Sequence, residues 1–457
     1  MRGGTRLMTC VLVAGWMTGG SPTFAQPAAA PEPLTLADAI SRAMAASHRL
    51  AEIRAREAGA RATVQATDAL DKSTWTASVQ YQRTNHVVPF GFAQPDGSRF
   101  DIYPDIPDNL LSRVAFQWPI YTSGRIGALE RAAEAEVNAV GADLDAARAD
   151  LKLEVTRAYW ALATAIETVR VIESSVARAE SQLTDARQRL AVGLIPPNDV
   201  ASFEAQLSSE QLQLIEAQNL RESALIELRR LIGADPATAF GLADALDRAP
   251  AFGRVSDPAS PVFIGAAQTF VAEALNQRPE RKALTLRIGG AEERERAAAA
   301  GTKPTIGLAG GVDYANPNPK IFPRQGEWKG SFDLGVGVSW PFFDSGRTKA
   351  EVAEAVAATL AARARLADLD TILAADVRQR LLDLDSSLAA VETATTGVRA
   401  SAEARRVLGE RFAVGVATTT DVLIAQEQLL SAELARARAL ANVRLAEARL
   451  TRALGRP

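Results

Sequence analysis

The chain has little of what catalysis usually draws on. Its 457 residues hold one cysteine, Cys10, and two histidines, His48 and His86. There is no HExxH pair and no glycine-lysine loop of the kind that cradles phosphates. Enzymatic activity, a cofactor and a metal centre are therefore not expected. Past the N-terminus no apolar run reaches the roughly 18 residues that a membrane-spanning helix needs, which excludes such a helix but leaves a closed β-barrel open. A surplus of one charge is lacking too: 51 Lys and Arg against 54 Asp and Glu give a net charge of −3, which argues against a nucleic-acid partner.

Residues 1–25 carry Arg2 and Arg6, then the apolar run CVLVAGWM, then Thr23-Phe24-Ala25, the small-x-small ending that a signal peptidase cleaves. They read as a signal peptide, with the mature chain starting at Gln26. The alternative, an uncleaved anchor, is disfavoured because the run is too short to cross a bilayer. Cys10 precedes most of the apolar run, whereas a lipid-bearing cysteine follows it. The mature chain is thus expected to hold no thiol and no disulfide, although export would have permitted one.

What the sequence does contain is a duplication. With Trp118 set on Trp340, one constant offset carries Pro119 onto Pro341, Ser123-Gly124-Arg125 onto Ser345-Gly346-Arg347 and Val155 onto Val377. The same offset carries Arg189 onto Arg411, Gly193 onto Gly415, Asp199-Val200 onto Asp421-Val422 and Gly233 onto Gly455. Identity at fixed spacing over so long a stretch marks two copies of one unit. Upstream, residues 43–60 resemble 274–291, so that His48 falls opposite Pro279 and reads as a surface residue. His86 falls in a loop. The expected division is a first unit over 26–233, a connector with a short helix over 234–261, and a second unit over 262–457.

Each unit reads as helix, strand pair, very long helix, turn, helix. Ala158, Leu162, Ala165, Val169, Ile172, Val176, Ala179, Leu183, Ala186 and Leu190 follow one another in steps of three and four, the spacing of a coiled-coil seam. The second copy continues it with Val377, Leu384, Val391, Val398 and Phe412, interrupted by Arg380 and Arg405. Alanine at many of these positions lets one helix pack closely on two sides, as in the wall of a cylinder. Residues 123–190 lack proline, which allows one helix of about 100 Å.

Strands are expected at about 74–84, 111–121, 304–315 and 331–343. Trp75, Ala77, Val79 and Tyr81 share one face, opposite Thr76, Ser78, Gln80 and Gln82. Phe332, Leu334, Val336, Val338, Trp340 and Phe342 oppose Asp333, Gly335, Gly337, Ser339 and Pro341. An outer-membrane barrel has this alternation, and so does a soluble sheet packed on helices. The export signal and the long helices favour the membrane. Because even the smallest barrels use about eight strands, the chain must associate with copies of itself to close one.

Duplicated helix–strand–strand–helix units, Trp-Pro followed by Ser-Gly-Arg, and Arg-[Leu/Phe]-x-Val-Gly turns followed by Asp-Val resemble the TolC-like outer membrane factor family over essentially the whole mature chain. The resemblance implies a mostly α fold with membrane β: a homotrimer with a twelve-stranded barrel in outer-membrane lipid and a tunnel of coiled-coil helical hairpins through the periplasm. It further implies an exit duct working with a periplasmic adaptor and an inner-membrane pump, or one serving type I secretion.

At the two repeated turns, Gly193 and Gly415 supply backbone freedom, and Asp199 and Asp421 fall in the first turn of the next helix, where a carboxylate is favoured. Capping alone suffices to explain both aspartates. The resemblance adds adaptor docking at Val192-Gly193-Leu194 and Val414-Gly415-Val416, and an entrance gate at Asp199, Phe412 and Asp421. Some relatives have a tyrosine at the Phe412 position, opposite Asp199, so the resemblance implies that no hydroxyl reaches Asp199 here. A second acidic position is Ile424 and a basic one Ala417, which implies an entrance held more weakly, or by packing around Pro196 and Pro197. The expected function is a passive outer-membrane duct for small molecules, energised by its partners. A polypeptide secretion duct and a periplasmic coiled-coil scaffold are the alternatives.

Overall fold

The computed structural model describes residues 32–236, 238, 240–253 and 261–456. The expected signal peptide and the start at Gln26 lie outside them. The first half runs β1 (Glu32–Leu34), α1 (Leu36–Ala46), α2 (His48–Asp68), β2 (Thr74–Arg83), β3 (Phe90–Ala93), β4 (Arg99–Tyr103), β5 (Asp108–Tyr121), α3 (Arg125–Ala191) and α4 (Pro197–Ile232). After β6 (Phe240–Leu242) the second half runs α5 (Pro261–Gln277), α6 (Pro279–Ala299), β7 (Thr305–Asn316), β8 (Lys329–Ser339), α7 (Arg347–Ala413) and α8 (Thr419–Leu454). Both α3 and α7 have 67 residues, and both α4 and α8 have 36. At 1.5 Å per residue the long helices extend about 100 Å.

The repeated Ser-Gly-Arg has a backbone cause. Ser123 and Gly124 have φ of 54° and 81°, and Ser345 and Gly346 have 56° and 84°. Two left-handed residues in succession turn the chain from strand to helix, and glycine takes that conformation without steric cost. Ser123 Oγ donates to the Pro304 carbonyl at 2.6 Å, which ties the first turn to the second copy. In the second turn Asp344 accepts from the N–H groups of Gly346 and Thr348 and so caps α7.

Seam positions from Ala158 to Ala186 are at most 9 % exposed. In α7, Val377 and Leu384 are buried, but among the described residues none beyond Leu384 is, and Val391, Val398 and Phe412 are half-buried. The difference is one of neighbours: the α3 seam lies between α4 and α8, whereas distal α7 packs mainly on α8 and meets the first hairpin around Phe412.

Two cores sit near mid-helix. Leu34, Leu50, Leu151, Val155 and Leu228 form the first, and Ala274, Val377, Leu381, Leu450 and Leu454 the second. Val155 and Leu228 duplicate Val377 and Leu450, and all four are fully buried. Each such side chain contributes about 1.5–3 kcal/mol by leaving water. Tyr159, where the second copy has Leu381, donates to the Leu34 carbonyl at 3.0 Å and lies 3.0 Å from Asp244 Oδ2. Burial pushes its phenol up to about 12. Tyr159 thereby anchors the parallel pair β1–β6. Among the described residues of the connector, β6 is a strand.

The main sheet has the order β2-β5-β7-β8, with every neighbouring pair antiparallel. Its register lines up Trp75, Phe116, Gly310 and Leu334, then Ala77, Val114, Val312 and Phe332. β5 starts at Asp108, ahead of the expected 111. β8 stops at Ser339, short of the expected 343, because Pro341 has no N–H for the ladder. The loop between β2 and β5 contains the β3–β4 hairpin.

Candidate functional site

The two faces of the sheet differ in kind. On one, Val79 and Phe332 are each 80 % exposed and lie among Trp75, Val114, Val312, Leu334 and Val336. On the other, Ser78, Arg113, Asp313 and Ser331 form one row, and Thr76, Ala115, Gly311 and Asp333 the next. Arg113 holds both carboxylates, Asp313 at 2.9 Å and Asp333 at 3.1 Å. Asp313 is only 2 % exposed. Glycines relieve crowding on both faces, Gly310 in the apolar row of Phe116 and Leu334 and Gly311 in the row of Asp333. A Cβ on Gly310 would meet the Phe116 ring at 2.9 Å, and one on Gly311 would meet the Val114 carbonyl at 2.9 Å and the Arg113 guanidinium at 3.0 Å. An apolar face backed by a satisfied ionic face suits hydrocarbon on one side and water on the other.

Far from the sheet, the repeated turns are the tips of the α3–α4 and α7–α8 hairpins. Gly193 and Gly415 have φ of 74° and 78°. Each lets the following amide fold back: Leu194 N–H donates to the Arg189 carbonyl at 2.9 Å and Val416 N–H to the Arg411 carbonyl at 2.8 Å. This closure leaves Val192, Leu194, Val414 and Val416 between 70 % and 75 % exposed.

The helices that leave the tips begin differently. α4 starts on Pro196 and Pro197 without a side-chain cap. α8 starts with a capping box: Thr418 Oγ accepts from Asp421 N–H at 3.2 Å, and Asp421 accepts from Thr418 N–H at 2.9 Å. The Thr418 hydroxyl, and after it the Thr418 amide, hold the Asp421 carboxyl below its ordinary range.

Asp199 meets a hydroxyl after all. Thr419 Oγ1 donates to Asp199 Oδ2 at 2.8 Å, which corrects the expectation drawn from Phe412. Phe412 instead packs edge-on to Phe203 at 6.2 Å, under the Arg189 guanidinium at 5.2 Å. Leu190, Ile195 and Leu423 complete this cluster, so the tips are joined around Phe412. Of the three residues assigned to the gate, Asp199 and Phe412 lie at the junction of the hairpins. The hydrogen bonds of Asp421 go to its own cap.

Farther along, buried Glu210 on α4 accepts from Gln206 at 2.9 Å and from Gln426 of α8 at 3.1 Å. Neither Thr419 nor Glu210 was found from sequence, because the duplication concealed them: Thr419 stands where the first copy has Pro197, and Glu210 where the second has Ala432. A change of polarity between equivalent positions was the signal. Among the described residues no cluster of His, Cys, Asp and Glu could hold a metal ion.

The sequence profile of the outer membrane efflux protein family matches this chain twice, over residues 39–234 and 270–456, once on each copy. The chain belongs to that family. As an outer membrane efflux protein it is an exit duct of efflux or secretion systems. Outer membrane protein TolC of Vibrio cholerae is 24% identical over 341 residues, 73% of this chain and 74% of that protein. Outer membrane efflux protein BepC of Brucella suis is 26% identical over 329 residues, 71% of this chain and 67% of that protein. The solved structure of the outer membrane protein VceC of Vibrio cholerae is similar in fold, with a TM-score of 0.74 at 20% identity, covering 92% of this chain and 96% of that one.

Proposed function

We propose that three copies of this chain close a twelve-stranded barrel and that the resulting duct passes small molecules outward without driving them. The observation that carries this reading is the pair of free sheet edges. β2 and β8 end the sheet, and each presents a row of backbone N–H and C=O groups with no neighbouring strand among the described residues. In hydrocarbon each unsatisfied group costs several kcal/mol, so an open four-stranded sheet is not a stable membrane species. Eight strands fill their interior with side chains, while twelve leave a passage.

The half-buried distal part of α7 supports the same association, since a neighbouring subunit would supply the packing it lacks. In this reading the exposed Val192, Leu194, Val414 and Val416 dock a periplasmic adaptor, which connects the duct to an inner-membrane pump. Asp199 and Phe412 then hold the entrance shut, with Asp421 beside them, until the pump complex draws the hairpins apart. Cleavage after Ala25 would deliver the chain to the outer membrane.

Membrane fractionation, gel migration before and after heating, and planar-bilayer recording test this reading together. A heat-sensitive trimer that conducts ions is the expected result. Full recovery of a monomer from the soluble periplasmic fraction, with no conductance, would establish the scaffold alternative instead.

A further inference from the structure

The loop between β7 and β8, residues 317–328, folds back onto the lumen-facing side of the sheet. Lys320 Nζ lies 2.7 Å from Asp313 and also reaches Asp333, the two carboxylates already held by Arg113. These side chains alternate along their strands with Val312, Phe332 and Val114 of the lipid face, so Lys320 is on the opposite, lumenal side. Asn318, 2 % exposed, donates from Nδ2 to the Lys329 carbonyl at 2.8 Å and to Ser331 Oγ at 2.9 Å.

Farther along the same loop, Arg324 donates to Tyr103 Oη at 2.9 Å and to Asn109 Oδ1 at 3.1 Å, which joins it to the loop that carries β3 and β4. Beneath the two loops is a cavity of about 450 Å³ whose lining includes Gln80, Gln82, Asn85, Leu111 and Arg324. The loop is therefore held to the sheet by charge and hydrogen bonds across a partly open space. Segments held in this way open more readily than segments of a packed core.

We propose that residues 317–328 form a flap on the lumenal wall, latched by Lys320 to Asp313 and Asp333, and that it makes the outer mouth a second point of selection in the duct. The inference rests on the duct reading, in which each of three subunits contributes one flap. Arg113 is what makes the latch reversible. It keeps both carboxylates paired when Lys320 leaves, so the strands beneath remain intact. Closed, the cluster balances two cations against two carboxylates; opened, it loses one cation, and the wall becomes attractive to positive cargo.

The test uses a single thiol in a chain whose only natural cysteine is Cys10. Ser339→Cys places the thiol on the lumen-facing side at the end of β8 remote from the flap. Intact cells are treated from outside with N-ethylmaleimide or with a polymer-tagged maleimide, an assay that does not depend on the periplasmic entrance. Adding Lys320→Met is expected to raise the rate for the polymer-tagged reagent severalfold and to leave the small reagent unchanged, while Lys320→Arg restores slow labelling. Should Lys320→Met fail to assemble, Asn318→Ala removes the other tether and gives the same readout. Equal rates for the large reagent with and without the latch would overturn the flap. Failure of both reagents to reach the thiol would overturn the duct reading itself.

Discussion

Thr419 donates its hydroxyl to Asp199 across the junction of the two hairpins, 2.8 Å away, and so joins the first turn of α8 to the first turn of α4. Thr419 is 7 % exposed, which shields this bond from water. A hydrogen bond to a charged group contributes about 1.5–3 kcal/mol. Thr419→Val keeps the shape and loses the donor. We expect more frequent openings in planar-bilayer recordings with trimers intact, and recovery in Thr419→Ser. Identical gating in the valine variant would show that the bond does not hold the entrance.

The two tip glycines separate folding from docking. A Cβ on Gly193 or Gly415 would meet no atom within 4 Å, so the cost of replacement is the positive φ, about 1–2 kcal/mol for most residues and less for asparagine. Gly193→Asn is expected to support export. Gly193→Glu or Gly415→Glu should form trimers yet lose cross-linking to the adaptor and adaptor-dependent drug resistance. Loss of trimers in the glutamate variants would mean that the turns serve folding alone.

Acid should act on one tip. The carboxyl of Asp421 is held below its ordinary 3.8 in the folded protein, so its contribution is present above that value and is lost as pH falls through the lower folded value. Protection of the amides in the first turn of α8 against hydrogen exchange, taken relative to their intrinsic rates, should fall below about pH 3.8. Thr418→Ala, which removes the cap, should give that loss of protection at neutral pH at a cost of about 1 kcal/mol. Asp421→Ala should also reduce cation preference. Unchanged selectivity would leave Asp421 only its capping role.

Leu228 and Leu450 occupy equivalent places in the two cores, both at 0 % exposure. Replacing either by alanine should destabilise the protein by about 2–5 kcal/mol in denaturant titrations in detergent. Tyr159→Phe should cost about 1–3 kcal/mol, because the Leu34 carbonyl loses this donor and the Asp244 N–H loses its acceptor. A neutral effect at Tyr159 would show that β1 and β6 need no anchor.

The long helices and the sheet were legible in the sequence because their signals are local and periodic. Steps of three and four from Ala158 to Ala186 mark a buried stripe, and alternation from Phe332 to Val338 marks a two-faced strand. Contacts between distant segments were not legible. Glu32 pairs with Phe240, and Lys320 turns back to Asp313, and neither arrangement leaves a periodic trace. The adaptor and gate assignments rest on family resemblance, whereas Thr419 and Glu210 lie where the two copies differ and comparison of copies passes over them. Along distal α7 the seam reads correctly as a pattern, but its stripe is only half covered within a single chain.

The unequal helix starts bear on how a rim built from both tips would yield. Pro196 and Pro197 start one helix without a side-chain cap, while the other relies on the capping box of Thr418 and Asp421. Around three subunits such turns would alternate, so the compliance of the rim would have threefold symmetry, although the helices themselves approach sixfold. Strong acid would then loosen the capping-box turn at every second position around the rim.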